Sequence, residues 1–340
     1  MQRKSFLQSL ALGGLPLALP FAAQASVKAR RTKVPAYLQA GDTIGITAPA
    51  GYALAEDIAP CVDQLKAWGY QVKIGLTIGL KDGSFGGSDA QRAQDLQEML
   101  DDPSVKAILC AAGGYGSVRI IDRLDFGRFR QQPKWVIGFS DITVLHAHLH
   151  QVVGVASLHG KMCSGFPQDP VTADPLQTAT IGALRQAWEG KRLDYTIPVH
   201  PQNRLGQARG QLVGGNLKIL ENLSGSASQL DTRGKILFIE DVNEPLYNID
   251  RMLCNLDRSG LLSPLKGLVV GSFTGIKPET PGNGFGRDLV QIVLERTAAY
   301  GYPLCFDFPV GHQRNNMPLK CGLRHQLNVT EQAVELIETP

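Results

Sequence analysis

Apolar and polar positions along the first half of the chain switch repeatedly between a period near two and a period near 3.6. Residues 43–47 form a short β-rich run that ends in the loop Ala48-Pro49-Ala50-Gly51. Residues 58–68 have helical spacing, with Pro60 tolerable in a first turn, and residues 70–74 read as a second strand. Residues 89–100 predict a helix capped by Ser88 or Asp89. Residues 105–110 are apolar apart from Lys106, the pattern of a buried parallel strand. Helix is predicted over 118–124, strand over 135–137 and helix over 142–150. Strands alternating with helices predict a parallel sheet covered on both faces.

The pattern changes at Phe166-Pro167-Gln168-Asp169-Pro170. The stretch to about 208 is polar and proline-bearing and predicts a connection holding one helix, about 177–188. The second half restarts with a strand at 210–213 and continues with strand 236–239, helix 247–256, strand 268–271 and helix 289–298. Residues 326–330 and 333–337 read as a closing hairpin. The expected class is α/β: an N-terminal parallel-sheet domain (37–165), a connecting segment (166–208) and a C-terminal mixed α/β domain (209–340), with the active site between the two domains.

Composition adds little to this picture. Of 340 residues, 43% are hydrophobic and 19% charged, which is ordinary for a globular chain with a sizeable core. The formal net charge of +3 offers no electrostatic reason to expect a nucleic-acid partner. The N-terminus does change the picture. Arg3 and Lys4 precede an apolar stretch over 10–23, which ends in the small-x-small sequence Ala23-Gln24-Ala25. That is the anatomy of an export signal over 1–25. The sequence Arg3-Lys4-Ser5-Phe6-Leu7 is similar to a twin-arginine motif with Lys at the second position. Residues 26–36 read as a flexible lead-in, and the expected location is periplasmic, with no stable membrane span after processing. The cysteines at 61, 110, 163, 254, 305 and 321 form no Cys-x-x-Cys. They read as buried free thiols, with disulfides the alternative.

The candidate chemistry starts where strand 105–110 runs into Gly113-Gly114-Tyr115-Gly116-Ser117-Val118-Arg119. A dinucleotide fingerprint fails there because its third glycine position is Arg119, and a phosphate loop fails because no Lys precedes Ser117. No cofactor is expected. A strand–turn–helix context remains, which suits a nucleophile raised at a helix N-terminus, although Tyr115 and Arg119 replace the glycines of Gly-x-Ser-x-Gly. A tight turn with a capping serine explains the segment equally well.

This loop resembles that of the LD-carboxypeptidases, or muramoyltetrapeptide carboxypeptidases, to which the microcin-immunity peptidases are related. Further segments resemble the same family in the same order. They are residues 41–51; Gly87-Ser88-Asp89 with Arg92 and Asp95-Leu96; Gly138-Phe139-Ser140-Asp141; Gly214-Gly215-Asn216-Leu217; Ile239-Glu240-Asp241 with Glu244-Pro245 and Arg251; and Pro309-Val310-Gly311-His312. His159-Gly160-Lys161-Met162 departs from the common His-Gly-Pro-Met. The resemblance implies a Ser–His–Glu triad split between two domains. It maps Ser117 to the nucleophile, Glu240 to the orienting acid and His312 to the general base. The backbone amides of Gly87 and Val118 map to the oxyanion hole, and a homodimer is implied.

The implied reaction is release of terminal D-alanine from the L-centre of a diamino acid in a peptidoglycan stem tetrapeptide. The alternatives are an immunity-type peptidase acting on peptide- or aminoacyl-nucleotides, and a muropeptide-binding protein without catalysis. Asp241 and Glu244 are rivals for the acid. Ser140 and Asp141 read equally well as a helix cap. His146, His148 and His150 lack a metal-site pattern, and no metal is expected. His159, His200 and His325 read as satisfied polar or surface residues. Arg119 and Arg314 are candidates to read a substrate carboxylate.

Overall fold

A computed structural model describes residues 32–169, 172–278 and 284–340. The expected export signal at 1–25, and the lead-in as far as 31, lie outside the described residues. Residues 32–340 form one compact unit.

Its first half reads β1 (Thr43–Thr47), α1 (Ala55–Ala67), β2 (Gln71–Ile74), α2 (Asp89–Asp101), β3 (Val105–Cys110), α3 (Ser117–Ile120), α4 (Gly127–Gln131), β4 (Trp135–Gly138), α5 (Thr143–His148) and β5 (Ser157–His159). Then come α6 (Pro175–Trp188), β6 (Asp194–Ile197), β7 (Gly206–Asn216), α7 (Leu217–Asn222), β8 (Ile236–Val242), α8 (Leu246–Arg258), β9 (Gly267–Thr274) and α9 (Leu289–Arg296). The chain closes with β10 (Leu304–Cys305), β11 (Leu319–Cys321), β12 (Arg324–Val329) and β13 (Val334–Glu338).

The first sheet has the order β11-β5-β4-β3-β1-β2. All neighbours are parallel except β11, which returns from the second half to pair antiparallel with β5. In β3 only Lys106 is exposed, because the strand is central and both of its faces are covered. The second sheet has the order β10-β9-β8-β7-β12-β13-β6. Its first four strands are parallel and its last three antiparallel, so it is mixed, as expected for this half. The antiparallel hairpin β12–β13 is extended by β6, a strand from the stretch that reads by composition as a connection.

Helix α8 shows why the apolar spacing is informative. Ile249, Met252, Leu253 and Leu256 fall at i, i+3, i+4 and i+7 and are all buried. Helix α1 starts earlier than its apolar spacing predicts, so Pro60 lies inside it rather than in its first turn. The start is fixed by the Asp57 carboxylate, which accepts the Leu54 amide at 2.9 Å, a polar signal that periodicity does not register. Helix α5 is buried along its whole length, and it ends through a π-turn at Gly154. It packs against α7 and β7, so one hydrophobic core runs from Val144 and Leu145 to Leu217 and Leu220. The Thr143 hydroxyl accepts the Asn216 amide at 3.0 Å across that junction. All six cysteines are unpaired, and all but Cys254 are buried.

Candidate active site

The carboxyl ends of β1, β3, β4 and β5 bear the loops of one side of the site, and the end of β8 bears an acid on the other. Strand β4 stops at Gly138. Phe139 is still extended, and Ser140 then turns to a φ of +62° before a short 3-10 turn over Ser140–Ile142. A non-glycine residue at positive φ costs about 1–3 kcal/mol, so the surrounding fold must hold it there. This strand–strained serine–helical turn has the geometry of a nucleophile elbow.

His312 faces that serine. Its Nε2 lies 3.0 Å from Ser140 Oγ, and its Nδ1 lies 2.6 Å from Glu240 Oε2. Glu240 is fully buried at the end of β8. The loop carrying His312 is fixed on both sides of the imidazole. The Gly311 amide donates to Asn316 Oδ1 at 2.8 Å, and the Thr274 hydroxyl donates to the His312 carbonyl at 3.0 Å. Gly311 has a φ of +111°, and a Cβ there would sit 2.6 Å from Glu240 Cβ. Glycine is what lets the His312 loop close on the acid. The Phe139 ring stands 4.9 Å from the imidazole, centroid to centroid.

The serine at hydrogen-bond distance from His312 is thus Ser140, and the expected nucleophile, Ser117, stands on the neighbouring glycine loop. Ser117 is completely buried at the start of α3, and its hydroxyl makes no hydrogen bond to His312. Its amide donates to Asp141 Oδ2 at 2.8 Å, which ties the glycine loop to the turn after β4. The Val118 side chain packs against the core, and the Gly87 carbonyl accepts from Arg92 Nε at 3.2 Å. Of the expected triad, the structure brings Glu240 and His312 together and pairs them with Ser140.

Residues 44–160 match the LD-carboxypeptidase N-terminal domain, and residues 209–327 match the LD-carboxypeptidase C-terminal domain. The chain belongs to the LD-carboxypeptidase family. It is 36% identical to the probable murein peptide carboxypeptidase of Bacillus subtilis, over 87% of this chain and 92% of that one. It is 31% identical to the murein tetrapeptide carboxypeptidase of Pseudomonas aeruginosa, over 80% and 89% respectively. The crystal structure of muramoyltetrapeptide carboxypeptidase from Oxalobacter formigenes superposes with a TM-score of 0.77 at 29% identity, covering 87% of this chain and 99% of that one.

In this LD-carboxypeptidase chain the glycine loop after β3 serves the site by position. A Cβ on Gly113 would sit 3.1 Å from Ser140 Cβ and 3.3 Å from its Oγ, so a side chain there would crowd the space in front of the serine. Arg92, itself fully buried, holds the loop. It donates to the carbonyls of Pro49 (2.6 Å), Gly116 (2.9 Å) and Gly87 (3.2 Å), and pairs with Asp89 at 2.5 Å. Asp141 is buried beneath the elbow, and that burial raises its carboxyl above the usual range.

The rival acids have other work. Asp241 accepts the Asn216 side-chain amide at 2.8 Å and the Lys218 amide at 2.9 Å, fixing the start of α7. Burial first, and Glu240 to a lesser degree, push its carboxyl up to about 6. Glu244 bonds Asn248 on α8. His146 bonds Ser157 and the Gly138 carbonyl, His148 bonds Ser228, and His150 meets Lys235, so the three rings point to separate partners. Burial pushes His146 down to about 4. His159 is fully buried rather than superficial, edge-on to Phe238 at 5.0 Å, and burial holds it well below the usual imidazole range. His325 is buried too. Both candidate arginines are engaged by carboxylates: Arg119 by Asp89 at 2.9 Å and Arg314 by Asp174 at 2.8 Å.

Sequence reasoning names Ser140 as part of a resembling segment and as a helix cap, and does not place it beside His312. The signal for that contact is placement, since the serine stands two residues past the last residue of a buried strand.

Proposed function

We propose that this chain is a serine carboxypeptidase that releases the terminal D-amino acid of a peptidoglycan stem tetrapeptide. The observation that carries the reading is His312, held between a buried acid and a serine on a strained elbow. The peptidoglycan substrate rests on the relatives at 31% and 36% identity, whose names specify murein peptides.

Serine is a weak nucleophile until a base takes its proton. In this reading Ser117, the serine that the resemblance gives, is the nucleophile, and His312 Nε2 accepts its proton as Oγ attacks the carbonyl of the scissile amide, the two coming within reach when substrate binds. Glu240 on Nδ1 fixes the tautomer and stabilises the imidazolium that forms. We assign the oxyanion-binding amides to Val118, which follows the nucleophile, and to Gly87. The imidazolium returns the proton to the leaving amine, and the C–N bond breaks. Water then attacks the seryl ester with His312 again as base, which frees the shortened peptide and restores Ser117.

The export-type segment at 1–25 supports placing this reaction outside the cytoplasm. Among the described residues no helix is long and apolar enough to cross a membrane. The test is incubation of purified protein with a muramoyl tetrapeptide ending in D-alanine. Free D-alanine and the tripeptide are the expected products, and intact tetrapeptide after prolonged incubation would contradict the proposal.

A further inference from the structure

His159 takes no part in the proton transfers of the proposed reaction, yet it is fully buried at the end of β5, between the segments that form the site. His146, His148 and His150 each bond a side chain of their own. Neither ring nitrogen of His159 has such a bond among the described residues. A buried polar group calls for a partner.

Backbone pairing puts His159 where the two halves of the site meet. It pairs with Gly138 of β4 on one side and with Leu319 of β11 on the other. Gly138 leads into the turn of Phe139 and Ser140, and Leu319 follows the loop that carries His312. Two phenylalanines clamp the ring edge-on, Phe139 at 5.9 Å and Phe238 at 5.0 Å between centroids. Phe139 in turn stands 4.9 Å from the His312 imidazole, and Phe238 lies two residues before Glu240 on β8.

The ring also meets Asn316. That side chain is fully buried, and its Nδ2 bonds nothing else among the described residues. Its Oδ1 accepts the Gly311 amide at 2.8 Å. Burial keeps the His159 imidazole neutral, and a neutral imidazole has one nitrogen that accepts. Asn316 can therefore donate to His159 through Nδ2 while it holds Gly311 through Oδ1. Gly311 precedes His312 and lies against Glu240.

We propose that His159 is a positioning residue for His312 and acts through Asn316. The clamped ring orients the Asn316 amide, and that amide holds the loop that keeps His312 on Glu240. The inference rests on His312 being the base of the proposed reaction, and it names what holds that base in place.

Three variants test it. His159→Phe keeps an aromatic ring in the clamp and removes the nitrogens. His159→Gln keeps a polar partner for Asn316 and removes the ring. Asn316→Ala cuts the link from its other end. Each is measured well below its melting temperature, by D-alanine release from a stem tetrapeptide and by the rate of fluorophosphonate labelling. His159→Phe should lower kcat by about 10- to 100-fold with KM within about 3-fold, and labelling should slow in step. His159→Gln should melt lower, because the ring contacts are gone, yet keep kcat within about 3-fold because the link is retained. Asn316→Ala should slow the enzyme as much as His159→Phe, and the double variant no further, since residues acting through one link are not additive. Wild-type kcat in His159→Phe or in Asn316→Ala overturns the proposal. So do losses that multiply in the double variant, or a His159→Gln enzyme as slow as His159→Phe. If His159→Phe does not fold, Asn316→Ala and His159→Gln decide on the same terms. A wild type that is labelled but releases no D-alanine is a failure of the carboxypeptidase reading alone, and the labelling rates still decide the role of His159.

Discussion

His312 Nε2 and Ser140 Oγ are 3.0 Å apart, although the two residues are separated by 172 positions and belong to different sheets' loops. The pairing requires the end of β4 and the loop before β11 to meet, which they do because β11 itself crosses back to become the edge of the first sheet. Two variants separate the roles of the two serines. Ser117→Ala is expected to lower kcat by about 10⁴-fold or more with little change in melting temperature. Ser140→Ala, which deletes the hydroxyl that meets Nε2 in the substrate-free protein, should cost at most about 100-fold. Steady-state release of D-alanine by the two variants checks both.

Glu240 reaches Nδ1 of the same imidazole at 2.6 Å. Glu240→Gln keeps the shape of the side chain but can donate to Nδ1, which would stabilise the wrong tautomer. The expected loss is roughly 10³- to 10⁴-fold in kcat. A pH–rate profile of the variant, with a loss confined to KM, would speak against the assigned role.

The approach of Gly311 to Glu240 gives a backbone test. Gly311→Ala would place a Cβ 2.6 Å from Glu240 Cβ at a φ of +111°. The strain should cost about 1–3 kcal/mol of stability. A displacement of His312 by even 1 Å should reduce kcat by about 100-fold. Gly182→Ala in α6 is the control, since nothing lies within 4 Å of its added Cβ; it should leave kcat unchanged and raise stability by about 0.5–1 kcal/mol.

Asp241 supplies a pH dependence of stability. Its carboxyl, up at about 6 in the fold, holds its proton more tightly there than in the unfolded chain, where an aspartate titrates near 3.9. Its contribution therefore favours the folded state fully below about pH 4 and is lost as pH rises through 6. Asp241→Asn removes that titration. Between pH 4 and pH 7 the wild type should lose about 1–3 kcal/mol relative to the variant, measured by urea denaturation at each pH. A difference that stays constant with pH would contradict the account.

Much of the fold could be read from residues alone, because buried parallel strands such as β3 and amphipathic helices such as α8 carry their environment in their spacing. The meeting of Glu240 and His312 was legible for a different reason, as each sits in a short motif, Ile239-Glu240-Asp241 and Gly311-His312. The contact of His312 with Ser140 was not, because the strain there is a backbone angle at a serine flanked by ordinary residues. Strand β11 was equally hidden: three residues in the second half pair with β5, and no local period shows where a short strand will travel.

The central proposal is that Ser117 is the residue that becomes acylated. Reaction of the purified protein with a fluorophosphonate, followed by proteolysis and tandem mass spectrometry, tests it directly. The account predicts a single adduct on Ser117 that disappears in Ser117→Ala and persists in Ser140→Ala. An adduct on Ser140, or labelling that survives Ser117→Ala, would contradict it.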